Sequence, residues 1–286
     1  MTSMTKFPVD LHVHTTISDG TFSPRDIISQ AKNLGLKGIA ITDHDSVGEP
    51  QTLETIINSG FCIPGLELSS LNNNVHILAY GLNWNCPKLK NFLNKQQQHR
   101  MNALIKMCEK SKQFNVPVEV EEVLAQKNGD IGAIGRPHIA AVMLEKGYVS
   151  SIRDAFNRYL RKGAPIYEKK ERHTHSYLIS KVIEWGAMPV LAHPGLIEEH
   201  IRNKIINESI EAGISGIEVY YPLHSEEYTR ELIKFAGSNS LIITGGSDFH
   251  GTNKPQVSLG MAGINEQEFK LFLKELNNIT GFELKT

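Results

Sequence analysis

FPVDLHVHTTISD, residues 7–19, opens as an alternating stretch and closes on a row of side chains that bind metals. Alternation over FPVDLHVH is the period of a β-strand, in which every second side chain points the same way. Asp10, His12 and His14 therefore share a strand face, and Asp19 follows a few residues later. Next comes SPRDIISQAKNLG, residues 23–35, with helical spacing: Ile27, Ile28, Ala31 and Leu34 fall on one face. Ser23 is placed to cap it, Pro24 to sit in its first turn, Asp26 to complete a capping box and Gly35 to end it.

The same rhythm continues outward. KGIAITDHD (37–45), FCIPGLELS (61–69) and NVHILAYGL (74–82) are candidate strands, as are MPVLAHPG (188–195), GISGIEVYYP (213–222) and LIITGGSDFH (241–250). Residues 87–160 break the pattern and read as mostly helical, apart from a short candidate strand, VPVEV, near residue 116. Strand–helix alternation predicts parallel strands joined by helices. Seven strands predict an α/β barrel, closed or nearly so, with an open doubly wound sheet as the alternative. The expected domains are a barrel from residues 1–85 and 171–286 and a helical insertion, 86–170, on its rim.

In a barrel of parallel strands the C-terminal ends meet at one mouth. Here those ends carry His12, His14 and Asp19, then Asp43, His44 and Asp45, then Glu67, His193, Asp248 and His250; His76 lies on the fourth strand. A lone strand-end histidine is more often a hydrogen-bonded structural residue, and His-x-His alone is a weak signal. The joint pattern is a stronger one: a cavity with so many imidazoles and carboxylates needs compensating positive charge, which divalent ions supply. Mixed nitrogen and oxygen donors suit zinc, manganese or iron without choosing among them.

The net charge of −1 hides an asymmetry. Residues 86–172 hold 17 Lys/Arg against 9 Asp/Glu, and the remainder carries the acid surplus. A basic segment beside a metal site predicts an anionic substrate. Arg136 and His138 of GRPHIA stand at a predicted helix start, a good receptor for a second phosphate, and Lys162 of YLRKGAPIY is a further candidate with Arg161 beside it. His138 has packing or capping as its alternative. The segment has no dense basic run, so a mononucleotide or the end of a short oligonucleotide is expected rather than duplex DNA. His173 and His175 repeat His-x-His in the polar stretch ERHTHS and are expected to be solvent-exposed. No apolar run is long enough for a membrane span and the N-terminus lacks a signal-peptide pattern. Three scattered cysteines suggest a reducing cytoplasm.

Together DLHVHTTISDG, ITDHD, GLELS, VHILAYG, LAHPG and GGSDFHG resemble, in order and spacing, the PHP (polymerase and histidinol phosphatase) superfamily. The insertion resembles that of stand-alone bacterial members acting on nucleotide phosphates, among them nucleoside 3′,5′-bisphosphate phosphatases and a 5′-to-3′ exoribonuclease. The resemblance implies a distorted seven-stranded TIM-like barrel with two to three divalent ions. By motif, His12, His14, Glu67 and Asp248 would hold one ion, Glu67 would bridge to a second held by His76 and His193, and Asp19, His44 and His250 would hold a third. Asp43 would orient a ligating histidine. The implied reaction is attack of a metal-activated hydroxide on a phosphate ester, with His224 of YYPLHS or a metal-bound water as proton donor. A histidinol-phosphate phosphatase is the nearest competitor. An amidohydrolase is less suited, since no candidate strand ends in lysine, and a non-enzymatic metal-binding module would predict lost ligands.

Overall fold

The computed structural model describes residues 8–48, 50–71, 74–126, 134–168 and 173–284. The chain divides into two compact units: Met1–Leu89 with Arg172–Thr286, and Lys90–Glu171.

In the first unit, seven strands of the described residues form one sheet in sequence order. They are β1 (Val9–Val13), β2 (Gly38–Ile41), β3 (Cys62–Ser69), β4 (His76–Tyr80), β5 (Met188–Leu191), β6 (Gly216–Tyr220) and β7 (Ile242–Gly245). The sheet nearly closes. Beyond β7, the Asp248 N–H donates to the His12 carbonyl at 2.8 Å, and the His14 N–H donates to the Phe249 carbonyl at 2.9 Å. Gly246 permits this approach, because a Cβ there would collide with the His12 backbone and Cβ. Helices α1 (Pro24–Asn33), α2 (Pro50–Asn58), α7 (His175–Glu184), α8 (Glu199–Glu211), α9 (Glu226–Ser238) and α10 (Glu266–Thr280) complete the unit. The predicted capping box opens α1: Ser23 Oγ accepts from the Asp26 N–H, and Asp26 Oδ2 accepts from the Ser23 N–H.

One strand departs from the all-parallel expectation. β4 runs antiparallel to both β3 and β5. The connection from Ser69 to His76 is too short for a parallel crossover, which needs a dozen residues or more. Reversal brings the first residue of β4, His76, to the end where β3 finishes, paired with Ser69. The alternating face of β3 and β4 then has two characters. Ile63, Leu78 and Tyr80 join a core with Val9, Leu11 and Val190, capped by Phe269, Phe272 and Leu276 of α10. Glu67 and His76, further along the same faces, lie with the polar cluster.

The second unit has its own apolar core, which includes Leu104, Met107, Val123, Ile139, Met143, Leu160 and Ile166. Its elements are most of α3 (Pro87–Gln113), α4 (Val120–Ala125), α5 (Arg136–Glu145), α6 (Ile152–Ala155) and a π-helical turn, Phe156–Leu160. The VPVEV stretch forms no strand: the Val118 N–H donates to Ser111 Oγ, and α4 starts at Val120. Among the described residues no helix is long and apolar enough to cross a membrane. His175 departs from its expected exposure; it is buried at the start of α7, its Nε2 3.3 Å from Glu208 Oε2 on α8. The polar residues around it hid a position on the helix's buried face.

Phe272 is fully buried. Phe272→Ala should cost about 3–5 kcal/mol of unfolding free energy, read as a lower denaturant midpoint; a loss under 1 kcal/mol would contradict the packing of α10 described above.

Candidate metal centre

At the mouth one carboxylate is surrounded by imidazoles. Glu67 Oε2 lies 3.2 Å from His12 Nε2, 3.1 Å from His14 Nε2 and 3.1 Å from His44 Nδ1. Glu67 Oε1 lies 2.7 Å from His76 Nδ1 and 3.0 Å from His193 Nε2. Asp248 Oδ1 is 3.2 Å from His14 Nε2, and Asp19 Oδ1 is 3.3 Å from His250 Nε2. The β2–β3 ladder carries these residues to the mouth: the Glu67 N–H donates to the Asp43 carbonyl, and the Asp45 N–H donates to the Glu67 carbonyl. All nine residues expected as ligands are thus found in one cluster.

Among the described residues, three groups have donor atoms within 4.8 Å of one another: His12, His14, Glu67 and Asp248; His14, Asp19, His44 and His250; and His44, Glu67 and His76. The first coincides with the set expected for one ion. The second adds His14 to the expected third set. In the last, His44 stands beside Glu67 and His76, while His193 approaches the same Glu67 oxygen as His76.

The donors fit divalent ions. His12 Nδ1 faces Glu218 Oε1 at 3.0 Å, and because a carboxylate only accepts, a proton sits on Nδ1, which leaves Nε2 as the nitrogen that would turn to an ion. That Nε2 lies 3.2 Å from His14 Nε2, an arrangement of two ligand nitrogens that a shared cation would satisfy. His44 Nδ1 is close to Glu67 but out of hydrogen-bond alignment; it and His193 Nδ1 are buried nitrogens without a hydrogen-bond partner among the described residues. Such atoms are rare in proteins unless something else occupies them.

The electrostatics reflect mutual compensation. Burial would raise the Glu67 carboxyl, but His44, His12 and His76 hold it well below the ordinary range. Burial would lower the His12 imidazole, but Glu218, Glu67 and Asp248 hold it well above. Burial dominates at His44, pushing it down to about 3. The backbone is strained at the same places: His193, Asp248 and Asp45 all have positive φ without being glycine.

Two expected roles change. Asp43 touches no histidine: it accepts from the Thr15 N–H and Oγ1 and from the Ser18 N–H and Oγ, ordering the turn that follows β1. Its carboxylate is linked to His14 through Ser18, whose Oγ is 3.4 Å from His14 Nδ1, and its carbonyl holds the Glu67 N–H. His224 is committed at both nitrogens: Nδ1–H donates to the Val219 carbonyl at 2.8 Å, and Nε2 accepts from the Gly195 N–H at 3.0 Å. It therefore has no proton at Nε2 to give a leaving group, and it instead ties the turn after β5 to the turn after β6. A Cβ at residue 195 would press into the His224 ring, so glycine is needed there.

Glu218 was not found from the sequence. It is fully buried on β6, accepts from His12 Nδ1 and from the His193 N–H at 2.7 Å, and so orients two candidate ligands. The signal was an acid inside the otherwise apolar run GIEVY. The residues expected to bind substrate lie in the second unit. Arg136 heads α5, donates to the Leu160 carbonyl and stands over the Phe156 and Tyr167 rings at 5.6 and 5.4 Å. His138 Nδ1 accepts from the Gly135 N–H at the helix start, and Lys162 is exposed.

Glu218→Gln should leave the fold intact and weaken metal retention about 10- to 100-fold, the usual cost of losing a carboxylate behind a ligating histidine. Metal analysis after dialysis against graded chelator reads this; wild-type retention would show that Glu218 does not tune the ligands.

Residues 10–164 match the PHP domain family. The 5′-3′ exoribonuclease Rnm of Salmonella typhimurium is 30% identical over 249 residues, covering 84% of each chain. The 3′,5′-nucleoside bisphosphate phosphatase of Chromobacterium violaceum is 27% identical over 254 residues, covering 85% of this chain and 87% of the relative. A solved structure from Bifidobacterium adolescentis, described as a metal-dependent phosphoesterase, superposes with a TM-score of 0.81 at 29% identity, covering 93% of this chain and 95% of the other. The candidate ligands at the strand ends, the nearly closed seven-stranded barrel and these matches agree: the chain belongs to the PHP domain family.

Proposed function

We propose that this chain is a metal-dependent phosphoesterase acting on nucleotides, with nucleoside 3′,5′-bisphosphates or 5′-phosphorylated ends of short RNA as substrates. Two to three divalent ions of manganese, zinc or iron are its cofactors in this reading. The observation that carries it is Glu67, a buried carboxylate within 3.2 Å of five imidazoles from different parts of the barrel. The exoribonuclease and the bisphosphate phosphatase among the relatives favour nucleotide or RNA ends.

Divalent ions bound there would make water nucleophilic near neutral pH and offset charge on the phosphoryl oxygens. The chain's own residues do the positioning. Glu218 sets the His12 tautomer and holds the His193 backbone. Asp43 shapes the turn that carries Asp19. Asp10 accepts from the Ser247 N–H and Oγ and from the Gly260 N–H, fixing the segment that delivers Asp248 and His250. Burial of the donors lowers the local dielectric and strengthens every charge interaction with the reacting phosphate. Arg136, His138 and Lys162 are assigned to binding the rest of the substrate, with Arg136 as the group for a second phosphate. A reducing cytoplasm is the location that goes with this reading.

His14→Ala removes a donor shared by two of the three groups and should abolish hydrolysis of a generic phosphate ester with the circular dichroism spectrum unchanged. Wild-type turnover by that variant would sink the assignment. Arg136→Ala should lower kcat/KM for a nucleoside 3′,5′-bisphosphate by about tenfold or more, the worth of a charged hydrogen bond, and spare a simple monoester. Equal losses on both substrates would remove Arg136 from recognition. Assays on a bisphosphate, a mononucleotide, a 5′-phosphorylated oligoribonucleotide and histidinol phosphate test the substrate class directly.

A further inference from the structure

FHGTNKPQ, residues 249–256, follows the last candidate ligands and contains a lysine that the ligand pattern does not use. The segment is well fixed. Gly251–Asn253 forms a 3-10 turn, the Lys254 N–H donates to the Gly251 carbonyl, and the Val257 N–H donates to the Lys254 carbonyl. Asn253 Nδ2 donates to the Asp19 carbonyl at 2.7 Å, and the Thr252 N–H donates to Thr21 Oγ1 at 3.0 Å, so the loop is also bound to the turn that carries Asp19.

From this loop Lys254 Nζ reaches Asp248 Oδ2 at 2.6 Å. The two oxygens of Asp248 are divided. Oδ1 faces His14 Nε2 at 3.2 Å and His250 Nδ1 at 3.4 Å, inside the metal cluster. Oδ2 faces away from it and takes both Lys254 and the Tyr221 hydroxyl, the latter at 2.9 Å. Tyr221 spends its one proton on that bond. An ammonium has three, and Asp248 takes one. The Lys254 side chain keeps 35% of its surface exposed while Asp248 keeps 7%, so the ammonium stands at the border between the buried carboxylate and solvent.

Tyr221 already gives Oδ2 one hydrogen bond. A lysine added beside it brings a positive charge to a carboxylate that already serves a cation site. Asp248 pairs with that ammonium, but a cation drawing on the same carboxylate would leave part of the positive charge, and two N–H groups, for an incoming anion. We propose that Lys254 is a substrate-binding residue of the barrel mouth, offering its remaining N–H groups to a non-bridging oxygen of the phosphoryl group while its bond to Asp248 holds it in place. This inference rests on the phosphoesterase reading. It assigns to the barrel itself a phosphate contact separate from those assigned to Arg136, His138 and Lys162.

The test uses the full-length, metal-loaded protein and inorganic phosphate as probe, by isothermal titration. Lys254→Met should weaken phosphate binding about 10- to 100-fold, the worth of a hydrogen bond from a charged group, and raise KM for a generic phosphate ester, with metal content unchanged. Lys254→Arg should restore most of the affinity, because it keeps a charged donor. Tyr221→Phe removes the other bond to Oδ2 but no spare donor, and should weaken phosphate far less than Lys254→Met. Equal weakening by Lys254→Met and Tyr221→Phe, loss of the ions in Lys254→Met, or wild-type phosphate affinity in that variant would each overturn the proposal and leave Lys254 as a support for Asp248. Phosphate binding is read without turnover. A protein that binds phosphate through Lys254 yet hydrolyses no nucleotide ester would defeat the functional reading and spare this one.

Discussion

Burying Glu67 among five imidazoles sets the terms for the rest of the molecule. A carboxylate taken out of water is expensive unless charge and hydrogen bonds replace the lost solvation. Here the replacement comes from β1, the turn after β2, β4 and the turn after β5 at once, so no single segment can make the site. Around them, three buried acids that are not candidate ligands hold the neighbouring backbone: Asp10 the segment after β7, Asp43 the turn after β1, and Glu218 both His12 and the His193 N–H. The mouth is thus a layered arrangement, with inner donors aimed at a common centre and outer carboxylates that hold backbone N–H groups and one imidazole tautomer.

The direction of β4 follows from the same demand. With all strands parallel, His76 would open its strand at the end of the barrel opposite the mouth. The short hairpin after Ser69 reverses the strand and delivers its first residue instead of its last. The strained backbone at His193 and Asp248 belongs to the same placement, since both lie just past the ends of their strands, β5 and β7.

Much of this was legible in the sequence because it rests on period and position. The seven strands, the α1 capping box and the gathering of strand-end histidines follow from alternation, helical spacing and barrel geometry. What escaped has physical reasons. Glu218 lies inside a strand, not at its end, and a buried acid there looks like any polar interruption until its partners are known. His224 looked like a proton donor because sequence shows the imidazole but not the two backbone groups that occupy it. His175 looked exposed because its neighbours are polar, whereas burial is decided by α8 packing alongside. The reversal of β4 was readable in principle from the length of the connection, which no crossover could span. Residue numbers gave no hint of Lys254, since its role depends on a loop curling back onto Asp248.

Closure of the barrel by Asp10 and the segment after β7 joins residues 237 positions apart. In a chain made from its N-terminus, the first histidines emerge long before Asp248 and His250 exist. Contacts this distant in sequence form late, because the entropy of closing the intervening loop must be met first. Maturation of the enzyme is therefore ordered in time: an emerging polypeptide presents only fragments of the candidate cation cage until the segment carrying Asp248 and His250 has folded back against β1.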